Sequence, residues 1–151
     1  MKLNWKVIIG GGVLMYVVQF IVSMITGGFI HEGVLDPLYM ATTEFWRPEL
    51  NQDPPDMAAL MPRWIATGLL SALVMAGIYD NIRSALEGSS IIKGLKFGLI
   101  IAILSILFGA GMSGVFNLPT AIWAWWAFDW IIVYALGGLV LGWFVGRFAN
   151  D

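Results

Sequence analysis

The chain of 151 residues contains no cysteine, which excludes disulfides, zinc knuckles and thiol catalysis. It has one histidine, His31, so two histidines of a single chain cannot hold a haem. Charged residues make up 12%. Soluble domains carry about 25%. The eight basic residues form no patch, and nucleic-acid binding has no support. There is no P-loop, no Rossmann glycine fingerprint and no Ser/His pair with plausible geometry. Nothing points to a hydrolase or a nucleotide enzyme, and none of the motifs implies a cofactor.

What the chain has instead is hydrocarbon. Hydrophobic residues reach 59% and the mean hydropathy is +0.81. Four apolar runs, near 5–26, 62–86, 91–112 and 120–148, are each long enough to span a bilayer. About 20 helical residues cross roughly 30 Å of hydrocarbon. In lipid each backbone amide needs an internal partner, so the runs are expected to be helices. The expected fold is all-α: a polytopic membrane protein, one four-helix transmembrane domain over 1–151. The first run follows Lys2 and Lys6 and lacks a cleavage site, which reads as a retained signal anchor.

Charge orients the spans. Lys2, Lys6, Arg83, Lys93, Lys96 and Arg147 fall on one side, and only Arg47 and Arg63 on the other. Basic residues favour the inside, so both termini are expected in the cytoplasm. The long outer loop, 27–61, holds six of the ten acids. Within it Leu38–Trp46 reads as an interfacial helix. Phe29, Leu35, Tyr39, Phe45 and Trp46 can pack the loop on the bundle as a lid. Asp56 is placed to cap the turn leading into the second span.

Small residues mark packing faces. Gly94, Gly98, Ala102, Ser105 and Gly109 fall within about 80° on the third span. Gly68, Ala72 and Ala76 do the same on the second, and Gly138, Gly142 and Gly146 form a ladder on the fourth. Such seams let helix backbones approach in lipid. The ladder lies largely on another side of its helix from Asp129, so that helix should be contacted on two sides.

Polar residues mark a second feature. Gly12, Tyr16, Gln19, Ser23 and Thr26 share one face of the first span. Gln19, Ser71, Ser105 and Asp129 stand at similar depth and suggest a polar layer. Asp129 is the sharpest member, because a central aspartate costs about 2.5–3.5 kcal/mol on insertion scales. No basic residue matches its depth in the sequence, so Trp125 and Trp126, one turn earlier, are its expected neutral donors. The bland reading is an aspartate that ties helices together; the sharp one is a proton, ion or ligand site. His31, Glu32, Asp36 and Glu44 form a candidate metal set, although their spacing fits no strict motif.

The stretch FWRPELNQDPPDMAALMPRW, with Trp46, Pro48, Pro54, Pro55 and Trp64, resembles the W-x-P…P-P segment of tryptophan-rich sensory proteins of the translocator type. That resemblance covers about twenty residues, and those proteins bind porphyrins and sterols in a five-helix bundle. In layout the whole chain is similar to small four-helix bacterial membrane proteins of unknown function, which implies a bacterial inner membrane. The expected role is non-catalytic: a bundle packing through its glycine seams as a homo-oligomer, or as an accessory subunit of a larger membrane complex. The alternative is a transporter or binding protein for a small solute, proton or lipid-like ligand, built on the polar layer around Asp129. Its expected partners are the lipid bilayer and itself or another membrane protein.

Overall fold

A computed structural model describes residues 4–149. Lys2, used above to orient the chain, lies outside the described residues. Those residues are helical with no strand, and four helices are long and apolar enough to cross a membrane. We label them α1 (Lys6–Val34), α3 (Met57–Ile82), α4 (Ser90–Met112) and α5 (Thr120–Phe148), with a short α2 (Asp36–Met40) after α1.

The largest departure from expectation is α1. It does not stop at Thr26 but continues through Gly27–Val34 as a π-helical segment of eight residues. Gly27 keeps α-helical angles (φ −54°, ψ −55°), and Leu35 N–H closes the wide turn on Ile30 O at 2.8 Å. Glycine pairs lower helix propensity, but apolar Phe29, Ile30 and Val34 extend the run. Lys6–Gly11 is also π-helical. The expected outer loop therefore loses its first eight residues, and His31 and Glu32 become helical.

The remaining connection, 35–56, is a string of short turns. The expected helix over Leu38–Trp46 is split into α2 and a 3₁₀ turn at Thr43–Phe45. Thr42 interrupts it: its φ of −133° is not helical, and its hydroxyl donates back to Leu38 O at 2.8 Å. At the start of α3, the Asp56 carboxylate accepts from Ala59 N–H at 3.1 Å. The helix thus begins at Met57 rather than Pro62, which sits inside it. Ser89 caps α4 in the same way, through Ile92 N–H at 3.5 Å.

In space the helices run in the order α3, α1, α5, α4. The α4–α5 contact is the most extensive, and glycine makes it possible. A Cβ on Gly94 would collide with Gly138 O, one on Gly98 with Tyr134 O, and one on Gly142 with Ser90 O. Gly109 lies under the Trp130 ring. On the other flank Gly12 rests against Leu73 and Ala72, Gly68 against Tyr16, and Ala72 and Ala76 are fully buried. Both sides of α5 are covered within one chain: α4 takes the ladder and α1 takes the other side.

Two apolar clusters hold the ends. At the end carrying the termini, Val7, Met15, Ala76, Tyr79, Phe97, Leu141 and Val145 form the main core. There Tyr79 donates to Ser90 O at 3.2 Å and joins α3 to α4. At the loop end, Ile30, Leu35 and Ile122 are buried beneath Leu38, Tyr39, Trp46 and Trp126. The expected lid is thus built from Leu35, Tyr39 and Trp46, while Phe29 is 67% exposed and Phe45 also faces outward.

Candidate functional site

The continuation of α1 carries His31 to Asp129 of α5. His31 Nε2 lies 3.7 Å from Asp129 Oδ2, with the side chains 33% and 13% exposed. This overturns the expectation that no ionisable base reaches the depth of Asp129. The spacing is that of a charge pair, longer than a hydrogen bond. Asp129 Oδ1 is buried with no partner.

The other ring nitrogen is held by the lid. His31 Nδ1 lies 2.7 Å from Tyr39 Oη, and the same oxygen accepts from Trp126 Nε1–H at 2.7 Å. Trp126 therefore serves Tyr39 rather than Asp129, because α2 brings a phenol closer to the indole. Trp125 packs in the loop-end cluster and edges against Phe128. Neither indole is the expected donor to Asp129.

These bonds favour one tautomer. The Tyr39 hydroxyl has accepted from Trp126, so its own proton is available for His31 Nδ1. A neutral His31 then carries its proton on Nε2, facing Asp129. Burial against the bundle, opposed by the Trp126 hydrogen bond and aided by the Asp129 charge, pushes the Tyr39 phenol up to about 12. It stays protonated at neutral pH. Tyr39 is further fixed by an edge-on Trp46 ring at 5.1 Å, whose indole donates to Tyr39 O at 3.1 Å.

On the opposite side of His31 lies a cavity of about 550 Å³ between α1, α3 and α5. It forms because α1 and α3 touch closely through Gly12 and Gly68 and separate towards the loop end. Tyr16, Gln19 and Ser23 of the polar α1 face line it, as does His31. The α3 wall runs from Met57 through Trp64 and Ser71 to Met75, and α5 supplies Val133 and Tyr134. Thr26 is not on this wall; its hydroxyl returns to Val22 O at 3.1 Å.

Gln19 is the telling residue of this wall. It is 8% exposed and its side chain presses on Gly137 of α5, where an added Cβ would come within 2.9 Å of Nε2. That Nε2 has no hydrogen-bond acceptor. A buried donor without a partner costs about 1–3 kcal/mol.

The expected four-membered polar layer is not assembled. Gln19 and Ser71 share the cavity, and Asp129 reaches its edge through His31. Ser105 stands apart on α4, on the face that Gly98, Ala102 and Gly109 press against α5. The metal set is likewise dispersed. Among the described residues no three His, Asp or Glu side chains gather, since helical His31 turns inward while Glu32, Asp36 and Glu44 are exposed. Tyr39 was legible only as a lid residue, because its bonding depends on the extension of α1.

Comparison with protein-family models, with curated proteins and with solved structures finds no match to this chain.

Proposed function

We propose that the chain is a non-catalytic, multi-pass protein of a bacterial inner membrane, with both termini inside, that binds a small lipid-like ligand. The cavity has the size of ordinary ligand sites, roughly 300–1,000 Å³, and its walls are mostly apolar with a few polar groups. The observation that carries the reading is the cavity itself, an apolar space between three spans with the Gln19 amide, Ser23 and Ser71 on its wall. It suits a ligand with one hydrogen-bonding end on an otherwise apolar body.

The glycine seams are taken up by contacts within the chain, so they lend no support to a seam-built homo-oligomer or an accessory subunit. The ligand reading therefore stands first. The test is native mass spectrometry of the protein released from its own membranes. Wild type should carry a small apolar molecule, and Gln19→Leu should reduce its occupancy at least tenfold. A cavity empty in both, or equally filled in both, would sink the reading.

A further inference from the structure

We propose that His31 and Asp129 form a proton-binding site, with Tyr39 and Trp126 as its hydrogen-bonded frame. The ligand is a proton exchanged with water on the loop side, where His31 is one-third exposed.

Leaving the pair without a proton is costly. Asp129 is mostly buried and lacks a partner on Oδ1. A buried carboxylate facing only a neutral ring would be an uncompensated charge, which is expensive. One proton on the pair removes that cost, either as imidazolium beside carboxylate or as carboxylic acid beside neutral imidazole. At 3.7 Å a proton on one group acts directly on the other.

A hydrogen-bonded frame holds the ring. Around His31, α2 contributes Tyr39 and α5 contributes Asp129; Glu32 of α1 lies exposed along the cavity, and the facing α3 wall contributes Met57, Met61 and Trp64, none of them titratable. With neutral His31 each polar hydrogen has a place: Trp126 to Tyr39, Tyr39 to Nδ1, and Nε2–H towards Asp129. Imidazolium reverses one bond. Nδ1–H then donates to Tyr39, whose oxygen can accept from both rings. The phenol hydrogen is left without an acceptor. Proton uptake on the ring thus reverses the polarity of the bond to Tyr39, which is part of the lid over the loop end. Two hydrogens move: the phenol hydrogen rotates away from Nδ1 while staying on the Tyr39 oxygen, and a proton from loop-side water takes its place on Nδ1; both movements reverse on release.

The chain's single histidine makes the test direct. The protein is labelled with ¹⁵N-histidine and ¹³C-aspartate in lipid nanodiscs and titrated by nuclear magnetic resonance. Neutral His31 should be the Nε2–H tautomer, and the His31 nitrogens and the Asp129 carboxyl should move at the same pH steps. Asp129→Asn should reduce the His31 curve to a single independent step. Tyr39→Phe should weaken the tautomer bias, leaving only the pull of Asp129 on Nε2–H. An Nδ1–H tautomer in wild type, or independent titration of the two groups, overturns the proposal. The wild-type spectra decide it even where a variant does not fold. None of these readouts uses the cavity ligand, so failure here leaves the ligand proposal standing, and the reverse.

Discussion

Gly94 and Gly138 stand back to back: a Cβ on either would collide with the carbonyl oxygen of the other. Lipid is as apolar as leucine, so α4 and α5 gain little from burying side chains and much from this close approach.

That reciprocity predicts an asymmetric glycine scan. Gly94→Leu and Gly138→Leu should destabilise the protein by about 1–3 kcal/mol or more, since backbone must move. Gly28→Ala, with nothing within 4 Å of its Cβ, should be neutral or stabilising; replacing helical glycine by alanine is worth about 0.5–1 kcal/mol. Unfolding titrations in mixed micelles measure both. Equal losses at Gly28 and Gly94 would contradict the seam.

Gln19→Leu should stabilise the empty protein while abolishing ligand retention. Removing an unsatisfied buried donor relieves about 1–3 kcal/mol. Thermal unfolding of delipidated protein reads this directly. A drop in stability would mean that Nε2 has a partner.

Tyr39→Phe should release the lid. It strips Trp126 Nε1 and His31 Nδ1 of their shared partner, at a cost of about 1–3 kcal/mol where the indole stays buried. Limited proteolysis within 47–56 should accelerate several-fold. Unchanged cleavage would show that the apolar cluster alone holds the lid.

Alkali should do the same to the unmodified protein. The phenol is pushed from 10.0 to about 12 when docked, so the undocked state ionises first. The contribution is fully present below pH 10 and fades as the pH rises towards 12. Proteolytic sensitivity followed from pH 9 to 12 should rise in wild type and stay flat in Tyr39→Phe, which lacks the titrating group. Parallel curves would assign the alkaline change to other residues.

Asp56→Ala tests local reading at its simplest. Loss of the N-cap should cost about 1 kcal/mol and fray the first turn of α3. Amide exchange at Met57–Leu60 would report it, and protection equal to wild type would dismiss the cap.

Local and periodic features were legible in the sequence. The bounds of α5 follow from a long apolar run between Pro119 and Phe148, charged only at Asp129 and Arg147, and the Asp56 cap follows from side-chain chemistry alone. The small-residue faces of α4 and α5 could be drawn from helical period, although not which helix would meet them. The end of α1 was hidden because Gly27–Gly28 reads as a break. Only the packing of Ile30 and Leu35 on Ile122 favours continuing the helix through it. Everything at the site follows from that one misreading. With His31 on a loop it looked like a metal ligand, and with His31 on α1 it meets Asp129, 98 positions away. No pattern within a single segment encodes such a pairing.

The helix order α3, α1, α5, α4 also has a mechanical meaning. α3 is pinned near its far end, where Gly77 meets Ile8 and Tyr79 holds Ser90, and its near end borders the cavity. Nearer the cavity it still rests on α1, where Gly12 meets Leu73 and Gly68 meets Tyr16, so it is a lever with its fulcrum at Gly68. Met57 lies about 17 Å from that point at helical rise. A tilt of about 5° therefore swings Met57 through about 1.4 Å, while the glycine-locked pair α4 and α5 stays still.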